Sequence, residues 1–386
     1  MDKPSGDRRP RRVLHIIDSL NQGGAQAVVL NLARHADPAR SRHAVAGLYG
    51  PGAMSPAFRA AKVPLAQLAA TKFDPRIPAA LVRLVRRVRP DVLHAHLVVS
   101  CALAESLRRF LPGKTRLVCH VHNLFAQHGE DRYQDTIEAR LYRRCDATVA
   151  CSREVAESLL PPRRPRPRKL SVVTNGIADE LLHPTSACER AQARDGLNIG
   201  GGTPLLLSVG RLTEQKNMGY ALRVAAELRR MMPQVRYWIA GEGVREAELR
   251  AQAARLKLEG AVEFLGFRSD IRQLLAAADM FFMPSLHEGL PLALVEAMGT
   301  GTMPVVTPFN GHAALVRDGG TGCVVPFDAP REAARRIVGH FMDAPRRLRI
   351  GAAASRHVRG GYSSTRFARR MDALYDGLLA EAPAHP

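Results

Sequence analysis

Two hydrophobic rhythms take turns along this chain. Short apolar runs, such as VLHII at 13–17 and VLHAHL at 92–97, have the length and content of strands buried in a sheet. Between them, apolar residues recur every three or four positions. In RIPAALVRLVRRVRP, Ile77, Leu81, Leu84, Val85 and Val88 share one helical face and arginines take the other. The first run leads into NQGGAQAVVLNLARHA, a Gly-Gly turn followed by helical spacing. TRLVCHVHNL predicts a further strand ending in polar residues, YQDTIEARLYRRC a helix and DATVACS a short strand. Strands alternating with helices predict a parallel sheet covered on both faces.

The rhythm then breaks. PPRRPRPRKL cannot pack a core, and SVVTNGI and a polar stretch through Gly202 follow it. After the break the alternation restarts: TPLLLSVGRL, VRYWIAGEG, AVEFLGF, DMFFMPS and MPVVTP read as strands. MGYALRVAAELRRM, REAELRAQAARL, DIRQLLAAA, PLALVEAM and REAARRIVGHF read as the helices between and after them. The expectation is two doubly wound, Rossmann-like domains, residues 1–177 and 178–362, with a returning C-terminal helix at 363–382 completing the first. In such sheets ligands sit outside the carboxyl ends of the strands, so two domains facing a cleft would line it with polar loops.

Composition adds three constraints. At 386 residues, 46% of them hydrophobic and 24% charged, the chain suits two soluble globular domains. No run approaches the roughly 18 to 20 apolar residues of a membrane span, and MDKPSGDRRPRR does not read as a secretory leader. Six scattered cysteines, without a C-x-x-C pair, suggest reduced thiols and a cytoplasmic protein. The net charge is +20, and residues 1–177 hold 30 Lys/Arg against 14 Asp/Glu. That field would favour an anionic bilayer, a phosphorylated acceptor or nucleic acid.

The stretch HEGLPLALVEAM, 287–298, concentrates the candidate chemistry. Pro291 suits the start of a helix, leaving Glu288 in the loop before it and Glu296 inside the helix. Eight residues at about 1.5 Å each span roughly 12 Å, the scale of a diphosphate with a sugar on each side. Between the carboxylates lie the backbone N–H groups of Gly289, Leu290 and Leu292 at a helix N-terminus, which favour a phosphate. A carboxylate bridging adjacent hydroxyls suits one sugar ring each. SVGRLTEQKN adds Arg211 and Lys216 in a strand-to-helix loop, where Glu214 is the only nearby acid. Two such cations suit a pyrophosphate.

In this order GRLTEQKN, AGEG, VEFLGF, HEGLPLALVEAMGTGTMPVV and GGTGCVVP resemble family 4 of the glycosyltransferases, also described as glycosyl transferases group 1. GGA at 23–25 and NGI at 175–177 match as well. The resemblance runs from Val13 nearly to the end. It implies the GT-B fold and transfer of a sugar, with retention, from a nucleotide-diphosphate donor, a UDP- or GDP-sugar, to a glycan or lipid-linked acceptor. Arg211 and Lys216 would stabilise the departing diphosphate. Glu296 would hold the ribose and Glu288 the transferred sugar, while Gly23 and Gly24 would allow close backbone approach. Phe267 would lie near the base, with ordinary packing as the equal alternative. The family's first-domain histidine matches His122, with His120 as rival; His96 is a weaker candidate and His94 structural. The family's usual glutamate near Ala314 is missing.

No Asp-x-Asp pair occurs to hold a divalent cation on a diphosphate, so neither metal nor cofactor is expected. No Walker loop or complete G-x-G-x-x-G follows a strand. A GT-B sugar-nucleotide epimerase remains a second reading. Nucleic-acid binding ranks last, since only 5% of residues are aromatic. An anionic membrane surface, on the inner face of the plasma membrane, is a further expected partner through the basic helix at 76–90.

Overall fold

The computed structural model describes residues 9–21, 23–124, 138, 140–160 and 166–381. The chain divides into two compact units, 1–176 with 364–386, and 177–363. Each is built on one parallel sheet. In unit 1, β1 (Arg11–Ser19), β2 (Ser41–Tyr49), β3 (Leu65–Gln67), β4 (Val92–His96), β5 (Arg116–Val121), β6 (Ala147–Ala150) and β7 (Leu170–Val172) take the order β3-β2-β1-β4-β5-β6-β7. In unit 2, β8 (Leu205–Val209), β9 (Arg236–Ala240), β10 (Val262–Gly266), β11 (Met280–Met283), β12 (Met303–Val306) and β13 (Cys323–Val324) take the order β10-β9-β8-β11-β12-β13.

Both orders reverse at one place, between β1 and β4 and between β8 and β11. Loops leaving the paired strands there run to opposite faces, which opens a crevice at the carboxyl edge. The unit 2 strands show why the apolar runs are unbroken. Leu205, Leu207, Trp238, Phe281 and Met283 pack in one core cluster, while Leu206, Tyr237, Ile239, Phe282 and Val305 pack in another. Successive side chains thus feed opposite faces, and both faces are dry.

Three elements escape the apolar patterning. The polar stretch before Gly202 contains the helix Ala187–Gly196, opened by a capping box between Ser186 and Glu189. Of its ten residues only Ala193 and Arg194 are buried, so it carries almost no stripe. Strand β2 mixes polar and apolar residues, and the helix Ala344–Arg359 buries Ile350, Ala354 and Val358 but interrupts its apolar spacing with arginines. Of the helix expected over YQDTIEARLYRRC, residues 138 and 140–144 are helical, and residues 133–137 and 139 lie outside the described residues. The basic helix is found at Ile77–Val88, burying Ile77, Leu81 and Val85, with Arg83, Arg86 and Arg87 exposed.

Candidate functional site

Lys216 follows β8 and Glu288 follows β11, the two strands that flank the reversal in unit 2. That placement brings residues 72 apart in sequence into contact: Lys216 Nζ donates to Glu288 Oε1 at 2.6 Å. The sequence had offered Lys216 only Glu214; the sheet order supplies Glu288 instead. Glu288 is only 6% exposed, so its charge is compensated by this ammonium rather than by water. Gln215, a residue the sequence reading passed over, donates to the His287 carbonyl at 2.9 Å and braces the same turn. Leu286 N–H donates to the Gln215 carbonyl at 2.9 Å, so the two loops are stitched through their backbones as well.

Arg211, on the β8 loop, is exposed; its carbonyl accepts from the Thr213 amide at 2.9 Å, and its guanidinium has no ion-pair or hydrogen-bond partner among the described residues. Its path is set by close backbone packing. Gly241, at the end of β9, has φ +142, and a Cβ there would overlap the Gly210 carbonyl oxygen. The Lys216 stem passes along the other side of Gly210, with Cε 3.3 Å from where a Cβ would stand.

The helix after the Glu288 loop runs Leu292–Gly299 with Pro291 capping it, and its first internal bonds reach back from Leu294 and Val295 to the Pro291 carbonyl. The amides of Gly289, Leu290 and Leu292 therefore have no backbone acceptor among the described residues. Glu296 lies within this helix, half-buried and without an ion-pair partner among the described residues. Burial pushes its carboxyl up to about 7. His287 is held below the usual histidine range, by burial first and by Lys216, against the pull of Glu288. Phe267 is 46% exposed at the end of β10. Its amide meets Glu242 Oε1 at 3.4 Å.

Unit 1 supplies the other predicted residues. Gly23 caps the helix Gly24–His35 with φ 176, an extended conformation open to any residue. A Cβ on Gly23 would meet the Gln26 carboxamide at 2.5 Å, and that carboxamide donates to the Ser19 carbonyl at 2.9 Å. At the reversal in this sheet, Leu97 adopts φ 68 and ψ 161 directly after β4, a region almost reserved for glycine. His120 and His122 lie on one face of β5 and its extension. His120 is fully buried, and neither of its ring nitrogens has a partner among the described residues. His122 is partly buried and bonded on both nitrogens, to His96 and Asn175. His96, the weaker candidate, is fully buried, and His94 is bonded to Tyr375.

Of the residues singled out in unit 2, Lys216 and Glu288 are brought into direct contact, and the amides of Gly289, Leu290 and Leu292 follow Glu288 along the same loop into the helix Leu292–Gly299. The fold and the sequence agree on what class of protein carries such a site. A family model for glycosyl transferases group 1 matches residues 189–357, and one for glycosyltransferase family 4 matches residues 22–181. The chain belongs to this family of glycosyltransferases.

It is 30% identical over 249 residues to the lipopolysaccharide core biosynthesis mannosyltransferase LpcC of Rhizobium leguminosarum bv. viciae, covering 62% of this chain and 67% of that one. It is also 30% identical, over 261 residues, to the amylovoran biosynthesis glycosyltransferase AmsK of Erwinia amylovora, covering 65% of this chain and 61% of that one. In fold it is similar to Anabaena HepE in complex with UDP-glucose, with a TM-score of 0.83, 22% identity, and coverage of 95% of this chain and 100% of that one. The fold is GT-B.

Proposed function

We propose that the chain transfers a sugar, with retention of anomeric configuration, from a nucleoside-diphosphate sugar to a glycan or lipid-linked acceptor in surface polysaccharide or lipopolysaccharide assembly. The observation that carries this reading is the Lys216 to Glu288 contact at 2.6 Å beside the unpaired amides of the following helix. Arg211 and Lys216 take up the negative charge that grows on the departing diphosphate, which is worth most in a preorganised, water-poor site. Glu288, oriented by Lys216, accepts hydrogen bonds from the transferred sugar, and Glu296 from the ribose. Phe267 offers an exposed ring to the base, and His122 borders the donor sugar. Protein cations take the place of a metal in this reading, so a chelator leaves turnover unchanged.

No helix among the described residues is long and apolar enough to cross a membrane. We place the acceptor at an anionic membrane surface on the cytoplasmic side, met by Arg83, Arg86 and Arg87 of the basic helix. Phe73, 88% exposed, lies just before it. A thermal-shift panel of UDP, GDP, ADP and their sugars tests the donor: one base family raises the melting temperature, with a stabilisation that grows as the logarithm of one plus ligand concentration over Kd. Product analysis by NMR reads the anomeric configuration. Donor incubated without acceptor returns an epimerised sugar only if the chain is an epimerase.

A further inference from the structure

Six of the chain's 14 histidines stand on β1, β2, β4 and β5 of unit 1, or one residue past β5, all on one sheet face. The strand register puts His15 beside His94 and His96 beside His120. The helix Ser364–Ala380 touches this face through Phe367, Asp372 and Tyr375. Four of the six form a file. His122 Nε2 meets His96 Nδ1 at 3.1 Å, His96 Nε2 meets His15 Nδ1 at 3.0 Å, and His15 Nε2 meets His43 Nδ1 at 2.8 Å. His43 Nε2 then meets Ser41 Oγ at 3.0 Å, and Ser41 Oγ donates to Asp372 Oδ1 at 3.0 Å.

An ionised carboxylate accepts only, so the Ser41 hydroxyl must point at Asp372 and cannot also donate to His43. His43 therefore carries its proton on Nε2. A neutral imidazole has one donor and one acceptor, so the assignment passes from ring to ring: His15, His96 and His122 are each Nε2–H as well. Arg11 Nη1, 3.7 Å from Asp372 Oδ1, favours the ionised carboxylate, which burial opposes. All four rings are held well below the usual histidine range, by burial first; His43 falls to about 4 and His122 to about 3. They are neutral at neutral pH, as the file requires.

We propose that Asp372, Ser41, His43, His15 and His96 are positioning residues that lock His122 as its Nε2–H tautomer and leave its Nδ1 as an acceptor for a ligand hydroxyl. The second part rests on the reading that His122 borders the donor sugar. Asn175 Nδ2 fills that acceptor at 3.3 Å, near the long end of a hydrogen bond, and a sugar hydroxyl would take its place. His122 thereby selects for a hydroxyl and against a deoxy carbon, while never serving as an acid. A bound cation is the competing use of this cluster, since His15, His94 and His96, and again His96, His120 and His122, hold ligand nitrogens within 4.8 Å of one another. Both triads need His96, whose two nitrogens are already engaged within the file.

The test is long-range proton–nitrogen NMR on the full chain with nitrogen-15 histidine, recorded without ligand at neutral pH. The file predicts Nε2–H for His15, His43, His96 and His122. In Ser41→Ala the link to Asp372 is cut, and His122 loses the wide split between its protonated and bare nitrogens; Ser41→Thr restores it. Histidines outside the file, such as His183 and His287, keep their signals and report an intact fold. A His122 carrying its proton on Nδ1, a His122 indifferent to Ser41→Ala, or stoichiometric zinc retained on His96 overturns the proposal. The tautomer result stands whether or not a sugar nucleotide binds, so failure of the donor reading is told apart by the nucleotide panel alone.

Discussion

At the scale of single residues, Lys216 and Arg211 have similar proposed roles with different structural stakes. Lys216 compensates a buried carboxylate, so Lys216→Ala should lower turnover about 100-fold or more and also destabilise the fold by about 1 to 3 kcal/mol. Arg211 is exposed and unpaired among the described residues, so Arg211→Ala should match the loss in turnover with an unchanged melting temperature. Steady-state kinetics beside thermal melts separate the two. Glu296 makes a pH prediction. Its carboxyl rises from 4.5 to about 7 on folding, so between these values the unfolded chain releases a proton that the folded chain keeps. Stability from this group is complete below pH 4.5 and is lost as pH rises through about 7, up to roughly 3 kcal/mol. Glu296→Gln should therefore gain stability over wild type at pH 8 and show no gain at pH 4.5, as read by denaturant titration at both.

At the scale of elements, legibility followed burial. The unit 2 strands from Leu205 to Val306 announced themselves because both faces are dry and each run is unbroken. The helix Ala187–Gly196 did not, because a helix that buries two residues of ten leaves no stripe, although Ser186 and Glu189 could have been read as its capping box. The site showed the same divide. Arg211, Lys216, Glu288 and Glu296 were legible as charges beside a helix start, but the Lys216 to Glu288 pair was not, because it depends on β8 lying next to β11. The even spacing of histidines in LHAHL and VCHVHN hinted at a shared face, yet only the register of four strands makes it a file. The tight approach of β8 and β9 can be tested directly. Gly241→Ala puts a methyl into the Gly210 carbonyl, and should destabilise by about 2 kcal/mol or more and displace the Arg211 loop. Thermal melts and nucleotide affinity should fall together.

At the scale of the molecule, charge is divided as unevenly as chemistry. Residues 1–177 carry 30 Lys/Arg against 14 Asp/Glu, and the exposed arginines of Ile77–Val88 belong to that excess. Co-sedimentation with acidic vesicles should be strong at low salt and fade above about 0.15 M, where screening shortens to about 8 Å; neutral vesicles should not bind. In the proposed function unit 2 carries the donor chemistry, and its sheet reversal is what brings Lys216 against Glu288. The central claim is that a diphosphate sits between Arg211, Lys216 and the amides of Gly289, Leu290 and Leu292. A crystal structure of the protein with UDP or GDP bound measures this most directly. The account predicts phosphate oxygens within hydrogen-bond distance of both cations and of that helix start, with ribose hydroxyls on Glu296. A nucleotide bound elsewhere, or bound there with Arg211 and Lys216 turned away, would contradict it.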